Sequence, residues 1–419
     1  MTAGTLVVGA SQAGLQLASR LRELGDSAPV MLVGEEVHPP YQRPPLSKEF
    51  LSGAVEQESL SFRNPTFYTD AGIDLVCGDR VVEVALPQGG DKPGVARTAS
   101  GRELAFDRLA LTVGASPRRL HLPGADLQGI CYLRDLDDAA QLRPLQAEAA
   151  HVVVVGGGFI GLEAAAVARG QGKRVTVVEA ADRLLPRAVA PVVSQFYREA
   201  HERRGTMVLV SAVVAGFRGD RGRVTGVLLA NGIELPADLV IVGVGIVPRT
   251  ELAEQLGLEC DGGIVVDEHA RTSHPSVVSA GDCTVQPHPL TGSGRVRLES
   301  VQNAVTQGSL AAAALLGRVE ETKAVPWFWS NQGDLRLQIA GLSAGYDDLV
   351  VRGEPDSERF SVLYYGSGKL LAVDAVNMPA DYMVVRKALA QGASIPADKA
   401  ADSGTPLKTL LAAAPRAGR

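Results

Sequence analysis

The chain is poor in cysteine, in aromatic residues and in net positive charge, and these shortages exclude several classes of function. Its four cysteines, Cys77, Cys131, Cys260 and Cys283, are scattered over 419 residues. No two stand at the CxxC or CxxxxC spacing of a redox pair, so a dithiol relay is absent and the thiols are expected to be reduced and structural. Lysine and arginine number 41 against 47 acidic residues, a net charge of −6. With a pI near 5.7, that balance leaves no footprint for nucleic acid and no adhesive basic surface. No apolar run approaches the length of a bilayer span, and no charged start leads into a signal-peptide core. A cytoplasmic location is expected. What remains is a hydrophobic content of 46%, ordinary for a globular protein, in a chain long enough for two or three domains.

Glycine is abundant by contrast, and its placement organises the chain. Residues 152–163 read VVVVGGGFIGLE. Four consecutive valines suit a parallel strand buried on both faces. Gly156 permits a tight turn, Gly158 lets the backbone approach a pyrophosphate, and Gly161 lets the next helix pack on the strand. Phosphates would sit at the helix N-terminus, where free N–H groups and the dipole favour an anion. A second strand in RVTVVE ends at Glu179, eighteen residues past Gly161, where a carboxylate can accept from both ribose hydroxyls. Gly156, Gly158, Ile160, Gly161 and Glu179 are therefore the candidate nicotinamide-dinucleotide residues. The acid favours NAD over NADP, although Arg183 is near enough in sequence to keep the choice open.

A second fingerprint opens the chain, TLVVGASQAG at residues 5–14. Gly9 and Gly14 are its first and third glycines, and Ser11 replaces the second, small enough for close phosphate approach. The helix carrying Ala13 runs through Leu24, and the strand at 29–33 leads to Glu35, twenty-one residues past Gly14. Glu35 is the expected ribose ligand, with Glu36 as the alternative. Two fingerprints imply two nucleotides, and the usual arrangement is FAD at the first site and a nicotinamide dinucleotide at the second.

The remaining segments carry weaker signals. In HPPYQRPPLSKEFL, residues 38–51, four prolines stiffen a loop that enters a helix with Ser47 as a plausible N-cap. Lys48 in that loop reads, on the residues alone, as an ordinary surface lysine. Short strands follow from 73 to 113 around a glycine/proline turn at 88–94, with Val81 in a strand whose backbone could reach an adenine edge. Arg134 precedes an acidic helix start, where a cap or surface ion pair is the plain expectation. Residues 223–250 suggest a hairpin turning at Asn231-Gly232. The strand at 277–280 delivers Asp282, and a small-residue helix over 299–317 places Val301 at its start. The last hundred residues alternate as a small antiparallel domain with helices on it, Trp327 reading as core and Trp329 as a cofactor edge, with Phe328 on the opposite side.

The ordered set GASQAG, YQRPPLSK, TVGASPR, GGGFIGLE, VVEAADRLLPR, SAGDC, ESVQNA and PWFWSNQGDLRLQIAGL resembles the FAD-dependent, NADH-using ferredoxin reductases of bacterial cytochrome P450 and oxygenase systems. The resemblance implies an α/β fold with two Rossmann-like dinucleotide-binding domains of the glutathione-reductase type and a smaller α+β C-terminal domain. It implies an FAD domain in two segments, 1–108 and 242–318, an NADH domain at 109–241 and an interface domain at 319–419. Residues matching Lys48 and Glu163 lie near the flavin and nicotinamide in that family, the lysine close to flavin N5. Those matching Ala13, Glu35, Val81, Arg134, Asp282 and Val301 bind FAD, and the one matching Trp329 covers the ring near the partner's docking surface. Ser11 is the visible departure from the pattern.

The implied reaction is hydride transfer from NADH to FAD, then two single-electron transfers to a [2Fe-2S] ferredoxin, in a monomer or weak dimer with no metal site of its own. Arg295, Arg297 and Arg336 are candidates for steering an acidic ferredoxin. Two alternatives stay open: another acceptor, such as rubredoxin, oxygen, a quinone or monodehydroascorbate, or a redox-sensing flavoprotein resembling apoptosis-inducing factor.

Overall fold

The computed structural model describes residues 3–87, 92–322 and 324–413, so most of the turn expected at 88–94 lies outside the described residues. In chain order, a first βαβ unit comprises β1 (Thr5–Val8), α1 (Gln12–Glu23) and β2 (Val30–Val33), followed by the short α2 (Glu49–Ser52), β3 (Ile73–Val76) and β4 (Arg108–Leu111). A second set comprises β5 (Ile130–Tyr132), α3 (Leu136–Glu148), β6 (His151–Val155), α4 (Phe159–Gly170), β7 (Arg174–Val178), α5 (Pro191–Arg203), β8 (Met207–Leu209) and β9 (Leu239–Val242). Then come β10 (Val277–Ser279) and α6 (Val301–Leu315), and finally β11 (Trp327–Gln332), β12 (Leu335–Gly341), β13 (Asp348–Glu354), β14 (Arg359–Gly366), β15 (Lys369–Val376), α7 (Pro379–Ala390) and α8 (Leu407–Ala413). The chain forms two compact units. One contains the chain up to Gln42, Leu60–Ser116 and Val247–Pro326; the other contains Arg43–Ser59, Pro117–Ile246 and the chain from Trp327 onward.

The first unit is built on a parallel sheet of order β10-β4-β1-β2-β3. Its strands are short aliphatic runs, as a sheet covered on both faces requires. On one face, Leu17, Ala18 and Leu21 of α1 pack with Ala311 and Ala312 of α6 over Val7 and Leu32. The two helices approach closely because a Cβ at Gly308 would stand only 2.8 Å from the Ala13 carbonyl oxygen. On the other face, Val81, Val84 and Phe106 from the antiparallel ribbon Val81–Ala85, Gly94–Thr98 and Glu103–Phe106 pack against Leu6, Val8 and Leu111. Residues 109–111, expected to open the NADH segment, pair instead with β1 and β10 in this sheet.

The second unit repeats the scheme with a parallel sheet of order β8-β7-β6-β9-β5. A ribbon of Val214–Asp220, Arg223–Leu229 and Glu234–Pro236 sets Phe217, Val224, Val227 and Leu229 against Val153, Val155, Val240 and Val242. The hairpin expected over 223–250 therefore ends at Pro236, and β9 leaves it to run parallel to β6. Its residues are all buried, a pattern that suits the middle of a parallel sheet better than a one-sided ribbon. The turn is wider than a two-residue one: Leu229 N–H bonds to the Ile233 carbonyl, and the Asn231 carboxamide accepts from Ile233 N–H at 3.1 Å.

The same unit carries an antiparallel sheet of order β11-β12-β15-β14-β13, with α7 packed against β15 and β12. Arg352, buried on β13, bonds the Asp381 carboxylate at 3.1 Å and donates to the carbonyls of Ala400, Asp402, Ser403 and Thr405. One guanidinium thus holds the C-terminal segment. Among the described residues no helix is long and apolar enough to cross a membrane.

Arg204, at the end of α5, makes two bonds to Glu358, at 2.8 and 2.6 Å, and two to Asp334, both at 3.0 Å. Its bonds, with help from Arg203 and against the effect of burial, hold the Glu358 carboxyl down to about 2 from 4.5. A depressed acid contributes stability that is full above its unfolded value and is lost as pH falls through its folded value. Arg204→Ala should cost about 1–2 kcal/mol near neutral pH. Thermal unfolding across pH checks it: the gap between wild type and variant should hold above pH 4.5 and close as pH falls toward 2.

Candidate functional site

In the first unit, β1 ends at Gly9 with φ 117°. A Cβ there would lie 2.1 Å from the Thr112 carbonyl oxygen, and one at Gly14 would lie 2.1 Å from that of Gly9. Both positions accept only glycine, because the clash is with backbone. Ser11 is the N-cap residue of α1, yet its hydroxyl makes no capping bond and no acid occupies the first turn. Ala13 is buried in that turn, and a Cβ at Gly281 would sit 3.2 Å from its methyl. Gly281, with φ 92°, makes the turn that delivers Asp282 and donates its N–H to Gln307 at 2.8 Å. Val301 opens α6, capped by Ser300. Glu35 follows β2, and Arg249 grips it at 2.6 and 3.2 Å. Glu36 instead accepts from the Tyr41 phenol. Val81 is a buried residue at the start of the covering ribbon.

The second cradle, in the second unit, follows the same geometry. A Cβ at Gly156 would stand 2.3 Å from the Gly243 carbonyl oxygen, and one at Gly161 would stand 2.2 Å from that of Gly156. At Gly158, by contrast, a Cβ would meet nothing within 4 Å. Protein packing therefore does not require glycine there, whereas a group lying against the backbone would. Gly158 is the N-cap of α4, which has no side-chain cap and no acid in its first turn, and Ile160 in that turn is exposed. Glu179 accepts from Gly157 N–H at 2.6 Å and from Ala181 N–H at 2.8 Å. Arg183 is committed elsewhere, donating to the Val189 carbonyl, the Ser194 hydroxyl and the Pro186 carbonyl at 2.7, 2.9 and 2.7 Å. The charge presented at the end of β7 is thus negative, which argues against Arg183 as a 2'-phosphate ligand.

The same unit also brings Lys48 and Glu163 together. Lys48 Nζ lies 2.6 Å from Glu163 Oε2, with 12% and 4% of the side chains exposed, and donates to the Pro44 carbonyl at 3.0 Å. The reading of Lys48 as a surface lysine is corrected: its partner sits 115 residues away in sequence. Ser47 is not an N-cap. Residues Pro44–Ser47 form a 3₁₀ turn, α2 begins after Lys48, and the Ser47 hydroxyl donates to Glu163 Oε2 at 2.6 Å. On the other carboxylate oxygen, Ser330 donates to Oε1 at 2.6 Å. Ser47 and Ser330 were missed from sequence, although a serine and then a glutamine on the Phe328 face of β11 signal a buried polar partner.

Other expectations change. Arg134 is not a cap: Asp135 caps α3, while Arg134 donates its N–H to Asp138 at 2.9 Å and its carbonyl accepts from Arg43 at 3.0 Å. Trp327 is not core but half-buried. Its ring lies 5.4 Å from that of Trp329, with the Arg386 guanidinium 5.2 Å from its centroid. Phe328, on the other face, packs 4.7 Å from Phe159 of α4. Arg295 pairs with Glu259 at 2.9 Å and Arg297 with Glu299 at 2.9 Å, so neither belongs to an uncompensated basic patch. All four cysteines are free thiols. Burial pushes the Cys131 thiol up to about 11 and that of Cys283 upward as well.

Two uncapped, acid-free helix N-termini, each following an obligatory glycine turn and each with a carboxylate beyond the next strand, fit two dinucleotides. The comparisons agree. The pyridine nucleotide-disulphide oxidoreductase family matches residues 4–308, and the reductase C-terminal family matches residues 327–411. Rhodocoxin reductase of Rhodococcus erythropolis is 43% identical over 407 residues, spanning 97% of this chain and 94% of that protein. The crystal structure of the ferredoxin reductase for the CYP199A2 system from Rhodopseudomonas palustris superposes with a TM-score of 0.92 at 40% identity, covering 97% of this chain and 99% of the other. The reductase in the covalent putidaredoxin reductase–putidaredoxin complex superposes at 0.94 with 38% identity, covering 98% of each chain. On cradle geometry, C-terminal sheet and overall similarity alike, this chain belongs to the pyridine nucleotide-disulphide oxidoreductase family, in its ferredoxin-reductase branch.

Proposed function

We propose that the protein is an FAD-dependent NADH:ferredoxin reductase that supplies electrons to a cytochrome P450 or other oxygenase in the cytoplasm. The observation that carries this reading is the presence of two dinucleotide cradles and a buried Lys48–Glu163 pair in a chain without a dithiol. Bound FAD accepts two electrons as hydride from NADH and releases them singly. Gly9, Ser11, Ala13 and Gly14 would offer the first-turn N–H groups of α1 to the FAD pyrophosphate, and Glu35 its carboxylate to the adenosine ribose. Arg249 holds that carboxylate in place from one side. Val81, Arg134, Asp282 and Val301 complete the FAD set, with Trp329 as an aromatic cover. Gly156, Gly158, Ile160 and Gly161 would hold NADH, with Glu179 selecting it over NADPH by meeting a 2'-phosphate with like charge.

Lys48 would supply positive charge to the reacting end of the cofactors, and Glu163 holds that ammonium in place. Ferredoxin as partner is supported by relatives across the full chain length, among them the putidaredoxin reductase solved in covalent complex with putidaredoxin. With Arg295 and Arg297 neutralised by neighbours, Arg336 remains the candidate steering charge of the three.

An anaerobic titration tests the whole reading. NADH should bleach the flavin spectrum at near-stoichiometric amounts, NADPH should need a large excess, and oxidised [2Fe-2S] ferredoxin should restore the oxidised spectrum. Recovery with rubredoxin alone would move the protein to that acceptor, and no recovery with either would favour a redox sensor. Glu179→Ala should raise the NADH dissociation constant about tenfold, the effect of losing about 1.4 kcal/mol of ribose bonding, and leave FAD content unchanged. Flavin quantitation and rapid-mixing saturation curves check both.

A further inference from the structure

Glu163 ends a longer hydrogen-bonded chain than its pairing with Lys48 requires. Ser330 Oγ lies 2.6 Å from Glu163 Oε1, Gln332 Nε2 lies 3.3 Å from Ser330 Oγ, and His201 Nε2 lies 2.8 Å from Gln332 Oε1. Glu163, Ser330, Gln332 and His201 are all 3% exposed or less. The residues come from α4, β11 and the last turn of α5.

We propose that Ser330, Gln332 and His201 are positioning residues for Glu163, acting as a one-way chain of donors that fixes its carboxylate against Lys48. The direction follows from donor capacity. A carboxylate paired with an ammonium only accepts, so the single Ser330 proton goes to Glu163. Ser330 must then accept from the Gln332 amide nitrogen, which turns the Gln332 carbonyl toward His201. Two acceptors cannot meet at 2.8 Å, so the imidazole carries its proton on Nε2. Burial, reinforced by the nearby Arg204 charge and opposed by the Gln332 bond, lowers the His201 pKa, which keeps the ring neutral at pH 7. Every dipole points at Oε1, while Ser47 and Lys48 hold Oε2. Bonds aligned in this way polarise one another in a low-dielectric interior.

A purely structural role is the alternative, but burying this many polar groups is an expensive way to fill a core that apolar side chains would fill with less risk. The chain instead removes the rotational freedom of one carboxylate, and through it of one ammonium. This inference rests on the proposed role of Lys48 and Glu163 toward the cofactors.

Two measurements test it. In protein labelled with 15N in its histidine rings, studied with and without FAD, His201 should be the Nε2–H tautomer at pH 7. Ser330→Ala should shift that resonance although the serine does not bond His201. An Nδ1–H tautomer in the wild type would overturn the chain. In FAD-loaded protein, Ser330→Ala should slow flavin reduction at saturating NADH about tenfold, with Gln332→Leu slowed less, a loss of about 1.4 kcal/mol in the barrier. The NADH dissociation constant, FAD content and ferricyanide reoxidation of the reduced protein should stay within twofold (about 0.4 kcal/mol) of wild type. Glu163→Gln separates the two ideas. If it slows reduction while Ser330→Ala and Gln332→Leu do not, the positioning chain fails and the role of the pair stands. If Glu163→Gln itself reduces at the wild-type rate, the role of the pair fails and the inference goes with it.

Discussion

The buried ion pair between Lys48 and Glu163 is the interaction on which the docking of the 43–59 segment against α4 depends. Taking both charges out of water costs several kcal/mol per ion, and their attraction repays this only if the remaining lone pairs and protons are satisfied. Here they are: Glu163 accepts from Ser47, Lys48 and Ser330, and Lys48 also reaches the Pro44 carbonyl. The chain leaves the first unit at Gln42 and returns at Leu60. That excursion carries Lys48 to α4, and its flanks are tied down by Arg43 on the Arg134 carbonyl and by Glu56 on Arg143, at 3.0 and 3.1 Å. Pro44 and Pro45 within it lower the entropy that ordering it would otherwise cost.

A second constraint, steric this time, is imposed twice. Gly9 and Gly14 in one unit, and Gly156 and Gly161 in the other, stand where a Cβ would lie only 2.1 to 2.3 Å from a backbone oxygen. These positions were legible in sequence because the rule they obey is local: strand, turn and helix lie within about a dozen residues, and only glycine satisfies the contact. Gly158 differs in kind. No described residue crowds it, so the fold does not require glycine there, and Ser11 holds the equivalent position in the first unit.

What sequence left obscure depends on partners far along the chain. Lys48 finds no acid within its own loop to pair with in the fold and becomes an ion-pair partner only when Glu163 of α4 is placed against it. Ser47 had the right chemistry for a cap and was instead used on Glu163. Arg295 looked like half of a basic pair because the acid that cancels it, Glu259, is brought in by folding, whereas Glu299, which cancels Arg297, stands only two residues away. Trp327 read as core because tryptophan usually is, yet it lies half-open under Arg386. The strand that carries it held a signal all the same. In WFWSNQ, the tryptophans fall on one face, and Phe328, Ser330 and Gln332 fall on the other. Polar residues on a face that is otherwise packed ask for a buried acceptor, and Glu163 supplies it.

The cysteines settle a question that the family alone leaves open. A pyridine nucleotide-disulphide fold can route electrons through a dithiol or past it. Such a relay needs two thiols within bonding reach and one of them readily ionised. All four cysteines here are free, and the two buried ones, Cys131 and Cys283, are held further from ionisation by the apolar surroundings that bury them. Thiolate is therefore scarce where the thiols are best protected. A chain that keeps both nucleotide cradles but gives up the relay must pass electrons from its cofactor directly to an acceptor outside the protein. On β11 the half-buried Trp327 and Trp329 share one face, while on the other Ser330 bonds Glu163 and is itself supported by Gln332, so one short strand ties an aromatic surface to the buried ion pair.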